Sequence, residues 1–167
     1  MAEKELVTRE KLEHSGIFNF SDIYTYAYRW LTDEEGLGVT EEKYSEKVSG
    51  GTRDITVEWV ASKDISDYYK VDIKLKFEVS GLTDVDVEID GNKRKMNRGK
   101  ISIEVKGILI TDPKGKWESS ALLRFMRDFY NKYIVPSRGE DMKDKVVSIV
   151  NDFRNSLKLV LDLTGRR

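Results

Sequence analysis

Carboxylates and a lysine between residues 84 and 106 have the types and spacing of a metal-dependent active site. Asp90 ends an acidic, alternating segment, and Glu104 and Lys106 follow downstream with one apolar residue between them. Carboxylate oxygens bind Mg²⁺, and a bound Mg²⁺ can orient a phosphodiester and the water that attacks it. Asp90, Glu104 and Lys106 are therefore the candidate catalytic residues of this chain.

The Glu104-Val105-Lys106 triplet, with an acid upstream, resembles the motif of the PD-(D/E)xK nuclease superfamily. The resemblance covers only the segment that ends with this triplet. It implies that Asp90 (or Asp86) and Glu104 would hold a divalent metal and that Lys106 would help to activate water. Metal-dependent nuclease activity is the alternative function that this short motif suggests.

The same segment carries a cluster of bases that could contact an anion. Lys93, Arg94, Lys95 and Arg98 follow the acidic segment, with Lys100 just beyond them. A basic hairpin can contact phosphates. The cluster has no aromatic residue for base stacking, however, and the adjacent acids cancel most of its field beyond a Debye length of about 8 Å. It is a weak candidate anion patch, and nucleic-acid binding is not favoured.

A network of ion pairs is the structural interpretation of the acidic segment, and we favour it over both alternatives. Alternation places Asp84, Asp86, Glu88 and Asp90 on one face of a strand. In an antiparallel meander, the two neighbouring strands carry lysines at positions 70, 74, 76, 100 and 106. Opposite charges on adjacent strands contribute roughly 0.2–1 kcal/mol each. We therefore expect the acids to be paired and not to hold a metal.

The composition excludes several classes of function. The chain has 167 residues with 29 bases and 30 acids, so it has no global attraction for nucleic acid or an anionic membrane. It has no cysteine, which excludes disulfides, thiolate metal sites and cysteine nucleophiles. His14 is the single histidine, so neither a Ser-His-Asp triad nor a histidine-rich metal site is expected. We expect no metal and no cofactor.

The sequence also indicates where the protein resides. No apolar run reaches the length of a membrane-spanning helix, and the N-terminus has no apolar core of a signal peptide. We therefore expect a cytoplasmic protein without membrane association. Charged residues make up 35% of the chain, a share that is typical of thermophile surfaces rich in ion pairs.

The chain is predicted to form one domain preceded by a short leader. Residues 1–16 are interpreted as a polar leader, which could form a short helix, and residues 17–167 as a single α+β domain. Asn19 is the predicted N-cap of the first helix, with Asp22 at the capping-box position. The aromatic residues along this helix are predicted to form core packing with amphipathic flanks, in preference to a stacking platform for bases or a membrane-interface anchor.

Alternation of apolar and polar residues predicts five strands, over residues 43–49, 53–61, 68–79, 84–90 and 100–110. Gly50-Gly51 is a two-residue hairpin signal between the first two strands. The strict alternation of the third strand predicts a sheet that is covered on one face only.

Two helices are predicted to finish the chain. The first covers residues 118–134 and carries one apolar stripe. The second follows Pro136, has Ser137 and Glu140 as its capping box, and ends near Leu163.

The end of this second helix is more apolar than a single packed layer can bury. Leu159, Val160, Leu161 and Leu163 together cover more than half of the helix circumference, so another element or another subunit must cover part of them. These three leucines are the candidate interface residues, and self-association or a protein partner is expected.

The predicted element order, α-β-β-β-β-β-α-α, favours a two-layer α+β fold. A five-stranded antiparallel meander with helices packed on one face satisfies the short connections. This order is similar to the helix-grip arrangement of small-ligand carriers. We expect a binding or assembly domain that acts through an apolar helix surface or pocket and not by catalysis, with a nuclease and a carrier of small apolar ligands as the alternatives.

Overall fold

The structure of the 167-residue chain is a computed structural model. It describes residues 3–66, 68–111, 121, 122, 124–126, 129 and 135–165. The described elements, in chain order, are β1 (Glu3–Phe18), α1 (Phe20–Arg29), a π-helical turn (Trp30–Glu34), β2 (Gly38–Ser49), β3 (Thr52–Asp64), β4 (Tyr69–Ile89), β5 (Asn92–Thr111) and α2 (Val135–Gly165).

A five-stranded antiparallel sheet with strand order β1-β5-β4-β3-β2 organises the described part of the chain. Strands β2 to β5 are sequential neighbours, and β1 pairs with β5, so the first and last strands are adjacent. Helices α1 and α2 pack on one face, which we call the covered face; the opposite face is the outer face. The predicted α+β class, with an antiparallel sheet and helices on one side, is confirmed.

Strand β1 corrects the prediction for the N-terminal residues. The sequence predicts a polar leader over residues 1–16, but Glu3–Phe18 is a strand that pairs with β5 along its length. Leu12 and Phe18 are its only buried side chains. An edge strand with so few apolar residues lacks the alternation by which strands are recognised. The described order therefore begins with a strand and not with a helix.

Strand β4 merges two of the predicted strands. Residues 68–79 and 84–90 were expected to be separate strands, but β4 runs through both and is bent by a bulge between Ser80 and Thr83. A Cβ atom at Gly99 of β5 would lie 3.0 Å from the Ser80 carbonyl oxygen, so the two backbones are very close at the bulge. A bulge of this kind preserves pairing while it increases the local twist.

Two tight turns, at the same end of the sheet, join β2 to β3 and β4 to β5. Gly50 and Gly51, with φ of +57° and +86°, join β2 to β3 and confirm the predicted hairpin. Asp90 and Gly91, with φ of +52° and +80°, join β4 to β5. Positive φ at both central residues is the type I′ geometry that Gly-Gly and Asp-Gly pairs favour.

Helix α1 carries the aromatic residues predicted for the core. Its N-cap is Asn19, whose side chain accepts a hydrogen bond from the backbone N–H of Asp22 at 3.1 Å, as predicted. Phe20 is buried against the covered face, which confirms the core assignment at this position. Tyr26 and Tyr28 on the same helix are exposed, as the predicted amphipathic flanks require.

Glu41 of β2 fixes α1 to the sheet. The Tyr24 hydroxyl donates to Glu41 Oε1 at 2.7 Å, and the Trp59 indole N–H donates to the same oxygen at 3.1 Å. Burial first, and then the hydrogen bond to Glu41, raise the pKa of Tyr24 to about 12. Tyr24 therefore stays protonated, and remains a donor, at neutral pH.

Helix α2 is the long C-terminal helix that the sequence predicts. Its 31 residues span about 46 Å at 1.5 Å per residue. Ser137 lies inside the helix, so the predicted capping position is wrong. Phe153 and Leu157 are fully buried, and Phe153 packs against Trp30 with ring centroids 5.2 Å apart.

Gly107 of β5 allows α2 to lie close to the sheet. A Cβ atom at this position would be 2.6 Å from Cγ1 of Val146 and 2.9 Å from Cγ2 of Val150. Real Cβ atoms do not approach other carbons so closely, so a larger residue would displace the helix or its side chains.

The predicted helix over residues 118–134 lies mostly outside the described residues. Its described members, at positions 121, 122, 124–126 and 129, are helical. Four of them have large exposed apolar side chains, and we call these the apolar stripe: Leu122 (68% exposed), Phe125 (68%), Met126 (45%) and Phe129 (50%).

Candidate functional site

The structure separates the predicted catalytic residues. Glu104 and Lys106 lie in the middle of β5, whereas Asp90 lies in the turn between β4 and β5. The 12 residue steps from Asn92 to Glu104 correspond to roughly 40 Å of extended strand. Asp90 and Glu104 therefore cannot coordinate the same metal ion.

Glu104 is instead held by two cations on the outer face. Arg9 of β1 donates to Glu104 Oε2 at 2.6 Å, and Lys106 Nζ lies 3.4 Å from Oε1. The hydrogen bond from Arg9, with a smaller contribution from Lys106, holds the pKa of the Glu104 carboxyl below its ordinary value. The described residues contain no group of three or more His, Asp or Glu side chains placed to hold a metal ion.

Two acids of the segment from 84 to 90 lie opposite bases in the strand register, but not opposite the lysines that the sequence predicts. Asp86 lies directly opposite Lys95, and Glu88 lies directly opposite Lys93, in the register of β4 with β5. The lysines predicted as partners, at positions 70, 74, 76, 100 and 106, pair with other parts of β4 and β5 or with other strands. The acids and the basic cluster therefore face each other within one hairpin.

Asp84 anchors this hairpin to the rest of the sheet. Its Oδ1 accepts hydrogen bonds from Arg53 of β3 and from the side-chain amide of Asn97, each at 2.9 Å. The pairing of β3 with β4 ends at Leu82. Beyond this point the hairpin extends past β3, and Arg53 connects the two.

The predicted anion patch does not form one surface. Lys93, Arg94, Lys95 and Arg98 lie along β5 and not in a turn. Successive residues of a strand point to opposite faces, so Lys93 and Lys95 share one face and Arg94 and Arg98 the other. Each of the two lysines is also directly opposite an acid of β4.

One row of the outer face alternates in charge across all five strands. The register aligns Lys43 of β2, Glu58 of β3, Lys76 of β4, Glu104 of β5 and Lys11 of β1. We call this the alternating row. Each charge is flanked by opposite charges, an arrangement that stabilises strand pairing and fixes its register.

The adjacent row is basic on three neighbouring strands. Lys74 of β4 lies directly opposite Lys106 of β5, which in turn lies opposite Arg9 of β1; we call these the basic row. Within the described residues, Lys74 has no carboxylate within ion-pair distance, and Arg9 and Lys106 share Glu104. Like charges directly opposite each other destabilise strand pairing.

An open depression of about 210 Å³ lies over both rows. Its lining includes Lys74, Lys76 and Lys106 together with Glu42, Glu58 and Glu104. Charged side chains from four strands thus converge on one concave region of the outer face.

The predicted interface leucines do not share one environment. Leu161 is 1% exposed and belongs to the core, whereas Leu159 and Leu163 are 60% and 57% exposed. Residues four apart lie on the same side of a helix, so Leu159 and Leu163 form one exposed apolar surface.

Comparison with known protein families, curated proteins and solved structures finds no match for this chain. Among the described residues, none of the helices combines the length and apolarity needed to span a bilayer.

The complete basic row could not be recognised from the sequence, because one of its three members lies in β1. Arg9 lies in the segment interpreted as a leader, so its place beside Lys106 becomes visible only through the strand register. The signal that could have found the turn at Asp90 is the Asp-Gly pair itself, which is a strong hairpin signal.

Proposed function

We propose that this protein is a binding and assembly domain that self-associates through apolar side chains of its helices. The observation that carries this proposal is the apolar stripe. Its members are spaced i, i+3, i+4 and i+7, the spacing of one helical face, and each is at least 45% exposed. Contiguous apolar surface of this kind typically marks an interaction site.

The exposed end of α2 supports the same proposal. Leu159 and Leu163 lie on a helix where Phe153, Leu157 and Leu161 are buried in the core. Nothing in the packing of the covered face requires exposed leucines at these two positions. A second copy of the chain offers the same apolar surfaces, so a symmetric contact would bury both sets at once.

Two exposed leucines, one in the apolar stripe and one in β1, make a matched test. Leu122→Lys adds a charge to the apolar stripe, and Leu6→Lys adds the same charge to β1, where Leu6 is 55% exposed. We expect light scattering to show a mass above that of one chain for the wild type and for Leu6→Lys, and a mass closer to one chain for Leu122→Lys. Equal masses for the two variants would contradict the proposed surface.

The geometry does not favour the two alternatives. A nuclease of the predicted kind needs Asp90 near Glu104, and the register of β5 separates them. A carrier needs space between helix and sheet, and at Gly107 the α2 side chains already lie within contact of β5. Binding without catalysis is therefore the proposed activity.

A further inference from the structure

The basic row of the outer face has no explanation in the packing of the sheet. Lys74 and Lys106 face each other on adjacent strands, an arrangement that costs stability, while the row next to it alternates perfectly in sign. A second alternating row would keep the outer face equally polar and would make the sheet more stable. The row itself carries three cations and no acid, and this local charge points to a negatively charged ligand, although Glu42, Glu58 and Glu104 line the same depression.

We propose that the basic row binds a small anion that carries two or more phosphate groups. Neighbouring strands are about 4.8 Å apart, so the three cations span about 10 Å across β4, β5 and β1. Arginine binds phosphate oxygens through its planar fork, and lysine binds them as a point charge. An extended anion with several phosphate groups matches three cations in a line.

The surroundings of the row define the ligand further. Glu104 neutralises part of the charge, since Arg9 and Lys106 both contact it, and Lys74 is left without a carboxylate partner among the described residues. The depression of about 210 Å³ that includes Lys74 and Lys106 gives the ligand a concave seat. Neither row contains an aromatic ring, and Trp59, which borders the depression, is buried in the core, so recognition acts through the phosphates.

Tripolyphosphate is the probe for this site, with calorimetry and NMR shift mapping as the readouts. We expect Lys74→Gln and Lys106→Gln each to weaken binding roughly fivefold to tenfold, since each removes one charge-assisted contact. Lys43→Gln is the matched control, because it removes the same charge from the same face but from the alternating row. We expect it to change the affinity less than twofold.

Several results would overturn this site. Equal weakening of binding by Lys74→Gln and Lys43→Gln would show a general charge effect. NMR shifts centred on Lys93 and Lys95 would show that the anion binds to the β4–β5 hairpin instead. The absence of heat and of shifts at millimolar tripolyphosphate would exclude the site. If a short single-stranded oligonucleotide displaced tripolyphosphate at a hundredfold lower concentration, the ligand of the site would be nucleic acid and not a small anion.

Discussion

The two faces of the sheet are built on different physical principles. The covered face is held by closely packed apolar side chains, with Phe153 and Leu157 of α2 fully buried and Gly107 leaving no spare room. The outer face is organised by charges whose positions follow the strand register, as in the pairs of Glu104 with Arg9 and Lys106. Stability therefore resides mainly on the covered face, and the outer face can carry charges that serve binding.

Within the outer face, the alternating row and the basic row differ in their pattern of charges. The alternating row places opposite charges on neighbouring strands, whereas the basic row places Lys74 opposite Lys106. Since each such pair is worth less than about 1 kcal/mol, a fold anchored on its other face tolerates the repulsion. The comparison predicts large mutational effects on the covered face and small effects, of either sign, on the outer face.

The largest effect is expected for Phe153→Ala. Its ring is fully buried and packs against Trp30, so truncation leaves a cavity and should lower the free energy of unfolding by about 3–5 kcal/mol. Urea unfolding measures the change. Lys158→Ala on the same helix is the control, and its exposed side chain should cost less than about 0.5 kcal/mol. Similar losses for the two variants would contradict the packing described for α2.

The next effect is expected for Gly107→Ala. The added methyl group would lie 2.6 Å from Cγ1 of Val146, so we expect a loss of about 1–3 kcal/mol from overpacking. Val146→Ala removes the atom that would clash. The loss of unfolding free energy in the double variant should therefore be smaller than the sum of the losses in the two single variants. Strict additivity in urea unfolding would show that the contact is not as close as described.

A smaller effect is expected for Glu104→Gln on the outer face. The change removes the carboxylate that Arg9 and Lys106 share, and it should cost about 0.2–1 kcal/mol at neutral pH. Because the pKa of Glu104 is lower in the folded protein, its contribution is present above the unfolded pKa and is lost as the pH falls through the folded pKa.

The difference in unfolding free energy between the wild type and Glu104→Gln should thus be constant near neutral pH and vanish in acid. Glu13→Gln is the control on the same face, since Glu13 is half exposed and, within the described residues, pairs only with Lys11. A difference for Glu104→Gln that grows on acidification would contradict the ion-pair assignment.

The smallest effects distinguish the two rows by their sign. Lys74→Glu places an acid opposite Lys106 and should raise the melting temperature by up to about 4 °C. Lys43→Glu makes the same substitution in the alternating row, opposite Glu58, and should lower the melting temperature by a similar amount. Scanning calorimetry measures both shifts. Changes of the same sign in the two melting temperatures would contradict the electrostatic difference between the basic row and the alternating row.

The covered face could be predicted from the sequence better than the outer face. The apolar residues of β4 alternate strictly from Tyr69 to Val79, and Gly50-Gly51 is a recognisable turn, so the class of fold follows from local patterns. A bulge at Ser80 is harder to recognise, because a Ser-Gly pair also suggests a turn. The predicted break in β4 was wrong for this reason.

The outer face depends on pairings that local patterns do not contain. Glu3–Phe18 is an edge strand with few buried side chains, and its partner β5 lies at the other end of the sheet-forming sequence. Without β1, the neighbours of Glu104 and Lys106 could not be identified. The acids at Asp86 and Glu88 were correctly expected to face bases, but the bases were assigned to the wrong strand positions.

Sedimentation velocity of the wild-type chain over a hundredfold range of concentration tests the proposed self-association most directly. We expect the mass to rise from one chain toward two as concentration increases, because the apolar stripe and the exposed leucines of α2 become buried between copies. A mass of one chain at every concentration would contradict the proposed function.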